Sequence, residues 1–123
     1  MKSILLVGCG GFAGSVARYL ATGWLTRPAG SGGFPWGTFA VNIAGCLLIG
    51  LLAGLAARSG VLSVEARLFL FAGLLGGFTT FSAFGLEAVD LMASGQAATA
   101  GIYVLASVAA GLLAVWVGLW AMA

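Results

Sequence analysis

Gly76-Gly77-Phe78-Thr79-Thr80-Phe81-Ser82-Ala83-Phe84-Gly85-Leu86-Glu87 is the stretch on which the reading of this chain turns. It lies inside an apolar segment long enough to cross a bilayer. Two adjacent glycines and three hydroxyl residues nevertheless interrupt it. Each glycine costs a helix about 1 kcal/mol relative to alanine. Irregular backbone is not tolerated against lipid, but it is tolerated inside protein or around a watery cavity. The spacing therefore predicts a break in a buried helix, with carbonyls, amides and hydroxyls facing something polar.

Composition sets the class. Of 123 residues, 62% are hydrophobic and only 7% charged, and the mean hydropathy is +1.16. An average soluble domain has about 25% charged residues, so this chain cannot build a soluble surface. It reads as an all-α integral membrane protein of four spans in one domain. The spans are expected at about 3–25, 35–57, 66–93 and 98–121, the third broken at 76–80. A straight span needs about 20 residues, so the length of the third fits a tilt or a break. Lys2-Ser3-Ile4-Leu5-Leu6-Val7-Gly8-Cys9 has the look of a lipoprotein signal, but its apolar core falls short of the roughly 7–15 residues such signals need.

Glycine is abundant, at 21 residues, and small residues let membrane helices approach closely. Gly10 and Gly14 stand four apart in the first span; Gly45, Gly50 and Gly54 line the second. Arg18 can snorkel to the interface or pair with a partner group, and the sequence does not choose. Arg27, Pro28 and the Gly30–Gly33 run read as a flexible loop. Cys9 and Cys46 sit in apolar blocks and read as small packing residues rather than a disulfide or metal pair.

Several groups of chemistry drop out. With no histidine, the commonest general base and the commonest metal ligand are both missing, and no cysteine or carboxylate cluster has ligand spacing. Enzymatic work is not expected. Glu87 and Asp90, three apart on one face, read as a solvated pair near a helix end. What remains within the spans is Thr38, Asn42, Thr79, Thr80, Ser82, Tyr103 and Ser107: uncharged donors that can replace the water around a small anion without trapping it. Thr38 and Asn42 share a helix face, and Tyr103, Ser107 and Gly111 form a stripe at four-residue spacing. The plainer role for Asn42 is a helix–helix hydrogen bond, worth about 0.6 kcal/mol on average. Phe81 and Phe84 read first as core residues, although the positive edge of a phenyl ring can also face an anion. Carbonyls freed at Gly76 and Thr79 can instead hold a cation, as unwound transporter helices do. Residue types alone leave cation and anion open.

An even number of spans puts Lys2, Arg58 and Arg67 on one side and Arg27 with Arg18 on the other. Three against two gives no firm orientation, which agrees with insertion in both directions.

Three segments carry a resemblance. Gly76 to Phe84 closely resembles the GGxTTFSTF signature of the CrcB/Fluc fluoride channels. Trp36-Gly37-Thr38-Phe39-Ala40-Val41-Asn42-Ile43-Ala44-Gly45 resembles their WGTxxVNxxG segment, and Gly10 to Gly14 with Arg18-Tyr19 matches their GGxxGxxxRY opening. The resemblance implies a passive fluoride-selective channel of the cell (inner) membrane that exports F⁻ and relieves its toxicity. It further implies an antiparallel, dual-topology homodimer with two pores and a structural Na⁺ at the interface. Matched by motif position, Gly76 and Thr79 would offer backbone carbonyls to Na⁺. Phe81 and Phe84 would be the pore phenylalanines. Thr38, Asn42, Ser82, Glu87, Tyr103 and Ser107 would complete the fluoride pathway. Ala83 stands where the signature has threonine, removing one hydroxyl beside that path. The rival reading, a four-helix proton-coupled multidrug exporter, depends on an acidic residue in the first span; this chain has none before Glu65.

Overall fold

The computed structural model describes residues 1–26, 33–60 and 62–122; the expected Arg27–Gly33 loop falls almost wholly outside them. Among the described residues the fold is all helical. The elements are α1 (Lys2–Thr26), α2 (Trp36–Ser59), α3 (64–78), α4 (Phe81–Ala93) and α5 (Ala97–Ala121). Four spans are long and apolar enough to cross a membrane, with α3 and α4 together making the third, Val64–Ala93, of 30 residues.

Local chemistry sets the ends. Gly60 closes α2 in the left-handed region at φ 58°, a conformation open to glycine at little cost. The Ser63 hydroxyl accepts the Ala66 N–H at 3.1 Å and caps α3; a cap of this kind is worth about 1 kcal/mol. Within α3 the turns widen over Leu68–Leu75, where the Gly76 N–H reaches Phe71 O, five residues back. Wide π-type turns of this kind often mark functional sites.

Glycine builds two close helix pairs. Gly10 of α1 lies on Gly73 of α3, Gly14 on Leu74 and Phe78, and Gly77 of α3 on Gly11. A Cβ at Gly10 would come within 2.9 Å of Leu74 N, and one at Gly77 within 3.0 Å of Gly11 Cα. Likewise α2 and α5 run parallel with Gly50 against Val115, Gly54 against Leu119, and Gly118 against Leu47 and Leu51. The small-residue spacing seen in α1 thus meets a matching spacing in α3, and backbone lies on backbone. Lys2 and Glu65, 3.2 Å apart, tie the start of α1 to the start of α3 at the membrane edge.

The break differs from its expected extent. Gly76 and Gly77 remain helical, and the extended residues are only Thr79 (φ −88°, ψ 159°) and Thr80 (φ −150°, ψ 122°). Gly77 serves close packing on α1, and the interruption follows it. The buried core lies around Ala88, Leu91, Ala100 and Tyr103, with Phe34, Phe39 and Phe84 packed against it.

Candidate functional site

The break is held open from a distance. In an unbroken helix the Thr80 N–H would bond to Gly76 C=O, four residues back. Here it donates to Asn42 Oδ1 at 2.8 Å, and Asn42 Nδ2 donates back to Thr80 O at 3.0 Å. One side-chain amide thus satisfies both backbone groups of Thr80, and the Gly76 carbonyl loses its helical partner. Asn42 reaches this position because Gly45, one turn on, leaves room for the Thr79 methyl.

The next carbonyl has a different partner. Gly77 O would ordinarily accept from Phe81 N–H, but instead it accepts from Arg18 Nε at 3.1 Å. Arg18 therefore caps the C-terminal end of α3, where helix carbonyls gather partial negative charge. The sequence left Arg18 between interface and partner; the structure supplies the partner, 59 positions away. Its signal was an arginine inside a membrane span, where such groups face the bundle interior and pair with carbonyls.

Beyond the break α4 restarts. Thr80 caps it, its hydroxyl accepting the Ala83 N–H at 3.2 Å, and it lies 3.2 Å from Ser82 Oγ. Thr79 turns its hydroxyl back to Leu75 O at 2.9 Å. A groove of about 360 Å³ runs along this side of the molecule. Asn42, Thr79, Thr80, Phe81, Phe84 and Ser107 are among its lining residues, and Gly76 lies at its wall. Ser107 Oγ is buried there with no hydrogen-bond partner. Phe81 and Phe84 are neighbours, with ring centroids 5.6 Å apart, but Phe81 is 84% exposed on the single chain.

Glu87 sits in a separate cluster toward the membrane edge. Thr38 Oγ1 donates to Glu87 Oε1 at 2.6 Å and Tyr103 OH donates to Oε2 at 2.7 Å. Thr38 is 5% exposed and Tyr103 is fully buried. The solvated Glu87–Asp90 pair expected from spacing is not formed: Glu87 turns inward to two hydroxyls while Asp90 stays exposed. The Phe84 ring lies 5.1 Å from that of Tyr103 and links the cluster to the groove.

The structure thus brings Asn42, Phe81, Phe84, Ser107, Gly76 and Thr79 to one groove and Thr38, Glu87 and Tyr103 to its neighbouring cluster. Ser82 lies beside Thr80 at the exposed start of α4. Cys9 is exposed and Cys46 lines the groove as a free thiol.

Known proteins are similar to this chain over nearly its whole length. A channel from Rhizobium johnstonii named fluoride-specific ion channel FluC is 52% identical over 122 residues, 99% of this chain and 97% of its own. Proteins of the same name from Agrobacterium fabrum and Methylobacillus flagellatus are 53% and 48% identical, over 97% and 96% of this chain and 94% and 92% of theirs. The family model described as CrcB-like protein, Camphor Resistance (CrcB), matches residues 5–119, which takes in α1 with Arg18, α2 with Asn42, the break, and α5 with Tyr103. With every element of the site inside that match, the chain belongs to the CrcB family.

Proposed function

We propose that this protein is a passive, fluoride-selective channel of the cell (inner) membrane that lets F⁻ leave the cell, and that it works as an antiparallel homodimer with two pores. The observation that carries the reading is the groove beside the break, where uncharged donors and phenyl rings meet with no charged side chain in the lining. The full-length relatives named as fluoride-specific channels support it. Channel work of this kind calls for no catalytic group, so the protein is not an enzyme.

Each residue has a physical task on this reading. Asn42 spends one amide hydrogen on Thr80 and has a second to offer an anion. Ser107 Oγ, buried and without a partner within the chain, is a donor left for a ligand. Phe81 and Phe84 line the groove, and a phenyl edge, the positive part of the aromatic quadrupole, can face an anion. Thr38 and Tyr103 each donate to one Glu87 oxygen and hold the carboxyl group in its own cluster, outside the groove lining. Passage then needs each site to bind firmly enough to strip water and weakly enough to release.

The Gly76 carbonyl, parted from its helical donor, and the extended Thr79 form the kind of oxygen set that suits a hard monovalent cation. Two antiparallel copies would double that set around Na⁺, which would fix the two breaks to each other. The exposed Phe81 would then find its surroundings in the second copy.

Liposomes loaded with fluoride and holding the purified protein should release it rapidly once a potassium ionophore supplies the counter-current, while chloride-loaded liposomes stay closed. Equal release of chloride, or none of fluoride, overturns the proposal.

A further inference from the structure

Phe34 precedes Pro35 and the start of α2, outside any helix, and belongs to none of the motifs that mark the site. Its ring nevertheless stands edge to face with Tyr103, centroids 5.2 Å apart at 81°. It also meets Phe39 at 5.4 Å and 74° and Trp36 at 4.5 Å. The Trp36 N–H donates to Phe34 O at 2.8 Å, which fixes the backbone that carries the ring. Phe81, Phe84, Tyr103 and Phe34 form an unbroken row of rings, with Phe81 at one end and Phe34 at the other.

Tyr103 is the pivot of that row. Its hydroxyl holds Glu87 at 2.7 Å, yet nothing polar holds the ring itself. The ring packs in the core with Ala88, Leu91 and Ala100, and its ring-to-ring neighbours are Phe84 and Phe34. We propose that Phe34 is a positioning residue: it keeps the Tyr103 ring in the orientation that delivers its hydroxyl to Glu87, and so sets the outer end of the conduction path. This rests on the reading of Tyr103 and Glu87 as part of that path. Phe34 does not touch the anion. It acts through Tyr103.

The test is a double-mutant cycle on fluoride efflux from liposomes, with the fluoride concentration at half-maximal rate as a second readout. Phe34→Ala should lower the rate about two- to tenfold, the scale of one edge-to-face aromatic pair. Phe34→Trp should restore most of it. In a Tyr103→Phe background, which has no hydroxyl to aim, Phe34→Ala should change neither readout further. If Tyr103→Phe conducts like the parent, the pathway reading itself is wrong. If Tyr103→Phe is impaired and Phe34→Ala is silent alone, or fully additive with it, the positioning role is refuted. Any variant that does not fold shows as lost monodispersity in detergent. In that case Phe34→Leu, which keeps the bulk and loses the ring, carries the same comparison.

Discussion

Replacing Asn42 by aspartate tests the break and the anion path together. Shape is nearly unchanged, and a carboxylate can still accept the Thr80 N–H that Asn42 Oδ1 now accepts at 2.8 Å. The reciprocal bond to Thr80 O, 3.0 Å in the native chain, is lost, because the carboxylate has no hydrogen to give. An unmade bond of this kind costs about 1–3 kcal/mol. The second effect is Coulombic. A fluoride ion about 4 Å from a new carboxylate is repelled by about 4 kcal/mol at an effective dielectric constant of 20. At 1.36 kcal/mol per decade, that slows passage about a thousandfold. Fluoride efflux should therefore fall to the protein-free leak, while the melting midpoint in detergent drops only modestly. Asn42→Asp efflux within tenfold of the parent would refute the placement of Asn42 on the path. A protein that no longer folds would instead mean the clamp on Thr80 outweighs everything else at this position.

Other substitutions probe the remaining parts. Arg18→Met removes a charge-assisted bond to Gly77 O worth about 1.5–3 kcal/mol; the melting midpoint should fall, and an unchanged midpoint would deny the capping role. Gly77→Ala puts a methyl against the Gly11 backbone and should cost about 1–3 kcal/mol as α1 and α3 separate, whereas Gly8→Ala, with open space around it, should be neutral or better in the same thermal assay. Ser107→Ala deletes a hydroxyl that has no partner, so stability should hold or rise by up to about 1 kcal/mol while fluoride efflux drops; loss of stability without loss of flux would remove Ser107 from the path.

Much of this architecture is written in local pattern, and the reasons are physical. Span length and hydropathy follow from bilayer thickness, so four helices were legible from the sequence. So was the use of Gly10 and Gly14 for close packing, since a four-residue spacing stays on one face. The position of the break was only half legible. Glycines weaken helices in water, but within a bundle Gly77 is a packing residue and stays helical. The interruption belongs to Thr79 and Thr80 because Asn42, 38 residues earlier, captures the Thr80 amide. No local pattern encodes a bond of that span. The same holds for Arg18, and for Glu87, whose inward turn depends on hydroxyls from α2 and α5. A matching clue did exist: Gly73 and Gly77 repeat the spacing of Gly10 and Gly14, and pairing the two would have kept Gly77 in the helix.

The two glycine seams have a consequence for how the chain is made. Glycine packing joins α1 to α3 and α2 to α5, so neither glycine seam links consecutive spans. As the polypeptide leaves the ribosome, α1 must be lodged in the bilayer through the whole of α2 before residues 69–78 arrive to meet it. In turn α2 waits until residue 118 has been synthesised. The bundle closes only when the fourth span has been made. Until then its smooth glycine faces are open to lipid, to the insertion machinery, or to another nascent chain.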